Sequence, residues 1–115
     1  QLQNQDGKYV SPSEDSFKAA AAGANWSQSF YQILTNQPGQ AAWPITSATF
    51  ILMHKAQDKP AQAQASLKFF EWAYKSGDQT ASSLDYVPMP DNVKDVIFKS
   101  WGGIQDTAGK SINLQ

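Results

Sequence analysis

The run Ala42-Trp43-Pro44-Ile45-Thr46-Ser47-Ala48-Thr49-Phe50-Ile51-Leu52-Met53-His54-Lys55 constrains this chain more than any other stretch. It is the one long run in which apolar and β-branched residues dominate. Side chains alternate along a strand. A strand from Thr49 to Met53 therefore puts Phe50 and Leu52 on one face and Ile51 and Met53 on the other. A strand apolar on both faces belongs in a sheet covered on both sides. No second run here equals it, so the chain does not supply the neighbours that such a sheet needs. The pattern predicts one piece of a larger α/β protein, with an incomplete sheet and covering helices.

The totals narrow the function classes. A length of 115 residues is enough for one ordinary domain. A net charge of −1 is no footprint for nucleic acid or an anionic membrane. All 9 cations are lysines, so the usual bidentate clamp for phosphate or carboxylate is missing. With no Cys there is no disulfide, no thiolate metal site and no cysteine nucleophile; the single His54 cannot build a histidine metal cluster. No run reaches the length of a membrane span. The chain opens on Gln1 with neither an initiator Met nor a signal peptide, which predicts a processed start or a cut from inside a longer chain.

Local signals divide the rest. Asp6-Gly7 marks a tight turn, with Lys8-Tyr9-Val10 able to form a short strand after it. Ser11-Pro12-Ser13-Glu14 predicts a helix start, with Ser11 as cap and Glu14 closing a capping box. Glu14 and Lys18 can pair four apart, and Gly23 stops the helix. Its apolar face, Phe17 and alanines, is thin, which predicts a cover rather than a core. Ala24 to Gln40 reads as irregular, with Trp26, Phe30, Tyr31 and Leu34, and Asn36-Gln37-Pro38-Gly39 as a turn. Pro60 opens a helix that Gly77 stops, with a stripe of Leu67, Phe70 and Tyr74 widened by Phe69 and Ala73. Packed on the apolar strand, this helix is expected to form the strongest local unit, with Phe70 buried. Asp78 to Leu84 reads as a short helix capped by Asp78, and Asp85 to Pro90 as extended. Pro90 starts a last helix carrying Val93, Val96, Ile97 and Trp101, ended by Gly102-Gly103. Asp106 to Lys110 reads as a turn in a loosely held tail.

The residues for catalysis are missing. His54 reads as a surface residue at a strand end. The hydroxyls, Ser11 and Ser47 among them, lie in no nucleophile elbow. Asp85 and Asp91, and Glu14 and Asp15, sit at turns and caps rather than as an acid–base pair. There is no phosphate loop, dinucleotide fingerprint or EF-hand spacing. Trp26, Trp43, Trp72, Trp101, Tyr74 and Tyr86 lack a basic patch and read as packing aromatics. No catalytic residue, metal ligand or cofactor is assigned, and nucleic acid is not a partner.

Several stretches are similar to one family. Leu34-Thr35-Asn36-Gln37-Pro38-Gly39, Ala42-Trp43-Pro44-Ile45-Thr46 and Thr49 to Lys55 resemble the C-terminal part of periplasmic phosphate-binding proteins of the PstS type. Leu67-Lys68-Phe69-Phe70-Glu71-Trp72-Ala73-Tyr74-Lys75 and Leu84 to Asp91 do too, in order and without large gaps; the residues after Trp101 match least. The resemblance implies an α/β two-lobed periplasmic-binding-protein fold of type II. One phosphate lies in the cleft of such a protein, which delivers it to the membrane subunits of an ABC transporter. It implies that residues 1–41 end the second lobe, 42–55 cross the hinge as a strand, and 56–115 belong to the first lobe. The family's phosphate ligands lie in segments before this one, so no ligand residue carries over. Thr46, Ser47 and Thr49, on the crossing strand, are the places to look for residues that support the ligand's contacts from behind. The segment then acts as scaffold and hinge within a longer parent chain. An autonomous small structural or interaction domain without phosphate binding is the alternative.

Overall fold

A computed structural model describes residues 1–112. A two-residue strand, β1 (Leu2–Gln3), pairs antiparallel with β2 (Tyr9–Val10) across the Asp6-Gly7 turn, where Gly7 has φ 75°. Helix α1 spans Glu14–Gly23. After a long irregular stretch come β3 (Ala56–Gln57), α2 (Pro60–Ser76) and α3 (Asp78–Ser83). Helix α4 (Asp91–Ser100), a 3₁₀ turn at Trp101–Gly103 and β4 (Gln105–Asp106) complete the order. β3 and β4 run parallel, with Ala56 opposite Gln105. The fold is thus mixed helix and small sheets, consistent with the α/β expectation.

The helix starts follow local chemistry, with one shift of register. The cap of α1 is Ser13, not Ser11, and Ser16 rather than Glu14 closes the capping box: Ser16 N–H donates to Ser13 Oγ at 3.2 Å and Ser13 N–H to Ser16 Oγ at 2.9 Å. A serine in the third helical position reaches back over a shorter path than Glu14 could from the first, so the reciprocal pair selects Ser13. Glu14 is left to pair with Lys18 at 2.6 Å. α2 begins at Pro60 and ends at Gly77 as its sequence predicts. Asp78 does not cap α3; Gly77 holds that position, and Asp78 turns to α4 instead. Asp85 is not extended but left-handed, with φ 61°. Tyr86 N–H bonds Ala81 O at 2.9 Å and Asp85 N–H bonds Ser82 O at 3.2 Å. This pair of bonds is a Schellman end to α3, with Asp85 where glycine usually stands.

The apolar run departs furthest from expectation. Residues 49–53 form no strand, and among the described residues no backbone hydrogen bond is made by residues 47–53. Phe50, Ile51 and Leu52 are 47%, 54% and 92% exposed. A strand exists only when a second strand takes its N–H and C=O groups. The parallel pair that follows it is only two residues long.

The core also lies elsewhere. Ala21 of α1, Trp26, Leu34 and Val93 of α4 form the buried cluster, with Phe30, Ala48, Met89, Val96 and Ile97 packed around it. Trp26 Nε1–H donates to Ala21 O at 2.7 Å, so the indole is buried with its donor satisfied. α1 is therefore part of the core and not merely a cover: small alanines let the Trp26 ring approach its backbone. Gly23 permits the same closeness on its other side, because a Cβ there would stand 2.7 Å from Pro38 O. On α2, Leu67 is fully buried, but Phe70 is only half-buried, and Phe69 and Trp72 are 60% and 57% exposed. Trp72 is thus a surface aromatic here, unlike Trp26. Residues 104–112 are held better than their composition predicts. Asp106 Oδ1 accepts from Ala108 N–H and Lys110 N–H at 2.9 and 2.8 Å, forming the expected turn. Gln105 N–H bonds Lys55 O at 2.8 Å, and Ile104 is buried. Positions 113–115 of the segment 56–115 lie outside the described residues.

The result is elongated, 51 × 30 × 17 Å, with a radius of gyration of 16.3 Å. A compact chain of this length has about 13 Å.

Candidate functional site

The residues singled out by sequence lie on the irregular segment that follows Trp43. Trp43 is anchored from two sides: its N–H donates to Ser16 O at 3.0 Å, and its ring meets Phe17 edge-on at 6.5 Å. Pro44 O accepts from Asn36 N–H at 2.9 Å. Thr46 is buried, and its hydroxyl donates to Trp43 O at 2.9 Å, closing a local turn. Its oxygen is committed to the backbone. Ser47 and Thr49 are exposed. All three line a single groove that Lys18 also lines, but the Lys18 ammonium is held by Glu14 Oε1 at 2.6 Å.

Two open apolar grooves flank this segment. One, of about 440 Å³, runs between Phe50, Ile51 and Met53 on one side and Phe70, Tyr74 and Trp101 on the other. The other, of about 660 Å³, is lined by Ser47, Thr49, Ile51, Trp72 and Tyr86 among others. The expected contact between the Phe70 face of α2 and the Phe50–Met53 run is therefore replaced by a groove. Tyr74 lines it, edge-on to Phe98 at 5.9 Å and tilted to Trp101 at 6.3 Å. Burial pushes the Tyr74 phenol above its ordinary range. Among the described residues, Lys55 and Tyr74 are the ionisable groups on this groove.

Elsewhere, three lysines are paired to carboxylates among the described residues: Lys18 to Glu14, Lys75 to Glu71 and Lys94 to Asp78. The hydrogen bond from Lys18 holds the Glu14 carboxyl below its ordinary value, and the same bond raises Lys18. Lys94 is buried, its ammonium 2.5 Å from Asp78 Oδ2 and 3.9 Å from Asp91 Oδ1. His54 is exposed; its carbonyl accepts from Gln57 Nε2 at 2.6 Å. Among the described residues no cluster of three or more His, Cys, Asp or Glu side chains could hold a metal ion, and no helix is long and apolar enough to cross a membrane. Chemically, the grooves can bury apolar surface; they set no nucleophile beside a base.

Two polar anchors were not evident from sequence. Asn4 is buried, and its Nδ2 shares two hydrogens among Gly39 O, Gln40 O and Ala42 O at 3.0, 2.9 and 3.2 Å. Its Oδ1 accepts from Asp6 N–H at 3.1 Å and Lys8 N–H at 2.9 Å. The only signal was an Asn two residues before Asp6-Gly7, the pattern of an Asx turn. Lys94 gave a weaker hint, lying three residues after Asp91 beside Val93.

No protein-family profile matches the chain. Individual proteins do. The phosphate-binding protein PstS of Pasteurella multocida is 44% identical over 114 residues, 96% of this chain and 33% of the relative. The phosphate-binding protein PstS of Haemophilus influenzae is 46% identical over 102 residues, 87% of this chain and 30% of the relative. That of Xylella fastidiosa is 46% identical over 102 residues, covering 28% of the relative. The chain thus spans about a third of the length of the curated relatives it matches. Similarity this high along nearly the whole chain, to part of longer proteins, does not favour an autonomous small domain. This chain is a fragment belonging to the PstS family of phosphate-binding proteins.

Proposed function

We propose that the chain is the C-terminal portion of a high-affinity periplasmic phosphate-binding protein that delivers inorganic phosphate to the membrane subunits of an ABC transporter. The observation that carries this reading is the 44% identity over 114 residues to a protein named as phosphate-binding. In this reading the protein is a binder, not an enzyme, and its fold is the two-lobed type II arrangement. Residues 1–41 end the second lobe, 42–55 cross between lobes and 56–115 return to the first. These are positions in the assembly rather than separately packed units, since Trp26 and Leu34 share a core with Val93.

The segment supplies scaffold and hinge, and the phosphate ligands come from the remainder of the parent chain. Tight anion binding needs several donors converging on one point. Here Arg is absent and Lys18 and Lys94 are paired to carboxylates, which supports that division. Thr46 acts by holding the crossing segment through its bond to Trp43 O, while Ser47 and Thr49 lie near the cleft without touching the anion.

Calorimetric titration of the full-length protein tests the reading. Saturable binding of phosphate in preference to sulfate is expected. Ser47→Ala and Thr49→Ala each weaken it less than about tenfold, or about 1.4 kcal/mol. A full-length protein that binds no phosphate overturns the reading, and a loss of a thousandfold (about 4 kcal/mol) for either variant makes that residue a direct ligand.

A further inference from the structure

We infer that the buried cluster of Trp26, Leu34 and Val93 is the fulcrum on which the two lobes turn when the cleft closes on phosphate, and that it stays packed in the open and the closed protein alike. On the proposed function, on which this rests, residues 1–41 and 56–115 belong to different lobes. Trp26 and Leu34 come from the first of these spans and Val93 from the second, and all three are buried. A buried contact between two lobes has two fates in a hinge motion. It lies on the axis and is kept, or it lies off the axis and is pulled apart. If kept, the fixed point sits between α1 and α4 rather than on the crossing segment.

The chemistry of the contact selects the first fate. Its centre is apolar, and close-packed side chains lose much of their attraction when a gap of about an ångström opens. Parting it also wets Leu34 and Val93, whose side chains have no polar atom to offer water in exchange. Each side is braced as a block. On one, Trp26 Nε1–H donates to Ala21 O at 2.7 Å and Trp43 N–H to Ser16 O at 3.0 Å, so both residues are tied to α1. On the other, the ammonium of Lys94, next to Val93, lies 2.5 Å from Asp78 Oδ2 and ties α4 to α3. The rim is of another kind. Ser82 Oγ donates to Glu14 Oε2 at 3.2 Å in an exposed bond between α3 and α1. Water replaces such a bond at little cost. The rim can therefore open and re-form while the apolar centre holds, which is how a rolling contact behaves. Val93 is then a positioning residue, acting on the anion through the angle between the lobes.

Two measurements on the full-length protein decide the matter, with inorganic phosphate as the probe. Spin labels at Ala22→Cys and Asp95→Cys, exposed positions on α1 and α4, report the distance across the seam, and small-angle scattering reports lobe closure. Closure on adding phosphate is expected, with the label distance shifting by less than about 2 Å. Val93→Ala is expected to weaken phosphate binding at least about fivefold. Leu67→Ala, buried on α2 outside the cluster, should change it less than about twofold. That split separates positioning from loss of stability, which both variants suffer. A larger shift of the labels in a protein that binds phosphate overturns the inference and leaves the functional reading standing. So does binding without closure, or equal affinities for the two variants. A full-length protein that binds no phosphate overturns the functional reading, and the fulcrum falls with it.

Discussion

Lys94 Nζ lies 2.5 Å from Asp78 Oδ2, joining the first residue of α3 to the buried side of α4. The lysine is 7% exposed, whereas Asp78 keeps about half of its side chain in water, at 52%. The two partners are therefore unequal. Asp78 can be lost to solvent, but Lys94 cannot. Removing the carboxylate leaves a buried ammonium with Asp91 at 3.9 Å as its nearest support. Asp78→Ala is expected to cost about 1–3 kcal/mol. Lys94→Met, which removes the charge and keeps the stem, should stay within about 1 kcal/mol of the parent. Urea unfolding of both variants checks the asymmetry, and equal losses would contradict it.

Asn4 offers a second test. Its amide ties the β1–β2 hairpin to the 39–42 turn through bonds at both ends of the group. Asn4→Ala should cost about 2–4 kcal/mol, because buried carbonyls and amides lose their partner together. Asn4→Asp should be no milder, since it turns a carboxylate oxygen toward three carbonyls. Thermal unfolding followed by circular dichroism measures both.

Helix α2 separates two residues that share one stripe. Leu67 is fully buried, while Phe70 borders both grooves. In this 115-residue chain Leu67→Ala should cost about 2–5 kcal/mol. Phe70→Ala should cost about 1–2 kcal/mol, because a side chain facing an open groove has less transfer energy to lose. In a full-length protein whose further residues cover these grooves, the Phe70 loss should rise to about 3–5 kcal/mol. Denaturant titrations of the two lengths, side by side, test that reversal.

Asp85 adopts φ 61° at the Schellman end of α3, where a Cβ is strained. Asp85→Gly should stabilise by about 0.5–1 kcal/mol, and Asp85→Val should destabilise by more than that. Opposite shifts in the urea midpoint are the expected signature; a destabilising Gly variant would show that the Asp85 carboxylate, not its backbone, matters there.

Much of the chain was legible because it is local. Pro60 and Gly77 bound α2, Pro90 opens α4, and Asp6-Gly7 turns the first hairpin, each through groups a few residues apart. Even the error at α1 was local: two serines competed for one cap, and the one with Ser16 three residues ahead prevailed. The family likeness was legible for a different reason, since the words from Leu34 to Asp91 are specific in order as well as content. What sequence could not decide is where long-range partners come from. Trp26 and Leu34 meet Val93 only because α1 and α4 pack together; the sequence reads the first two as parts of one irregular stretch and Val93 as part of the last helix. Asn4 reads as a turn residue until Gly39, Gln40 and Ala42 bring three carbonyls to it. The run at Phe50 to Met53 has the alternation of a strand, and its side chains decide that much by themselves. Whether it becomes one depends on hydrogen bonds from another strand, and those are a property of tertiary structure, not of the run.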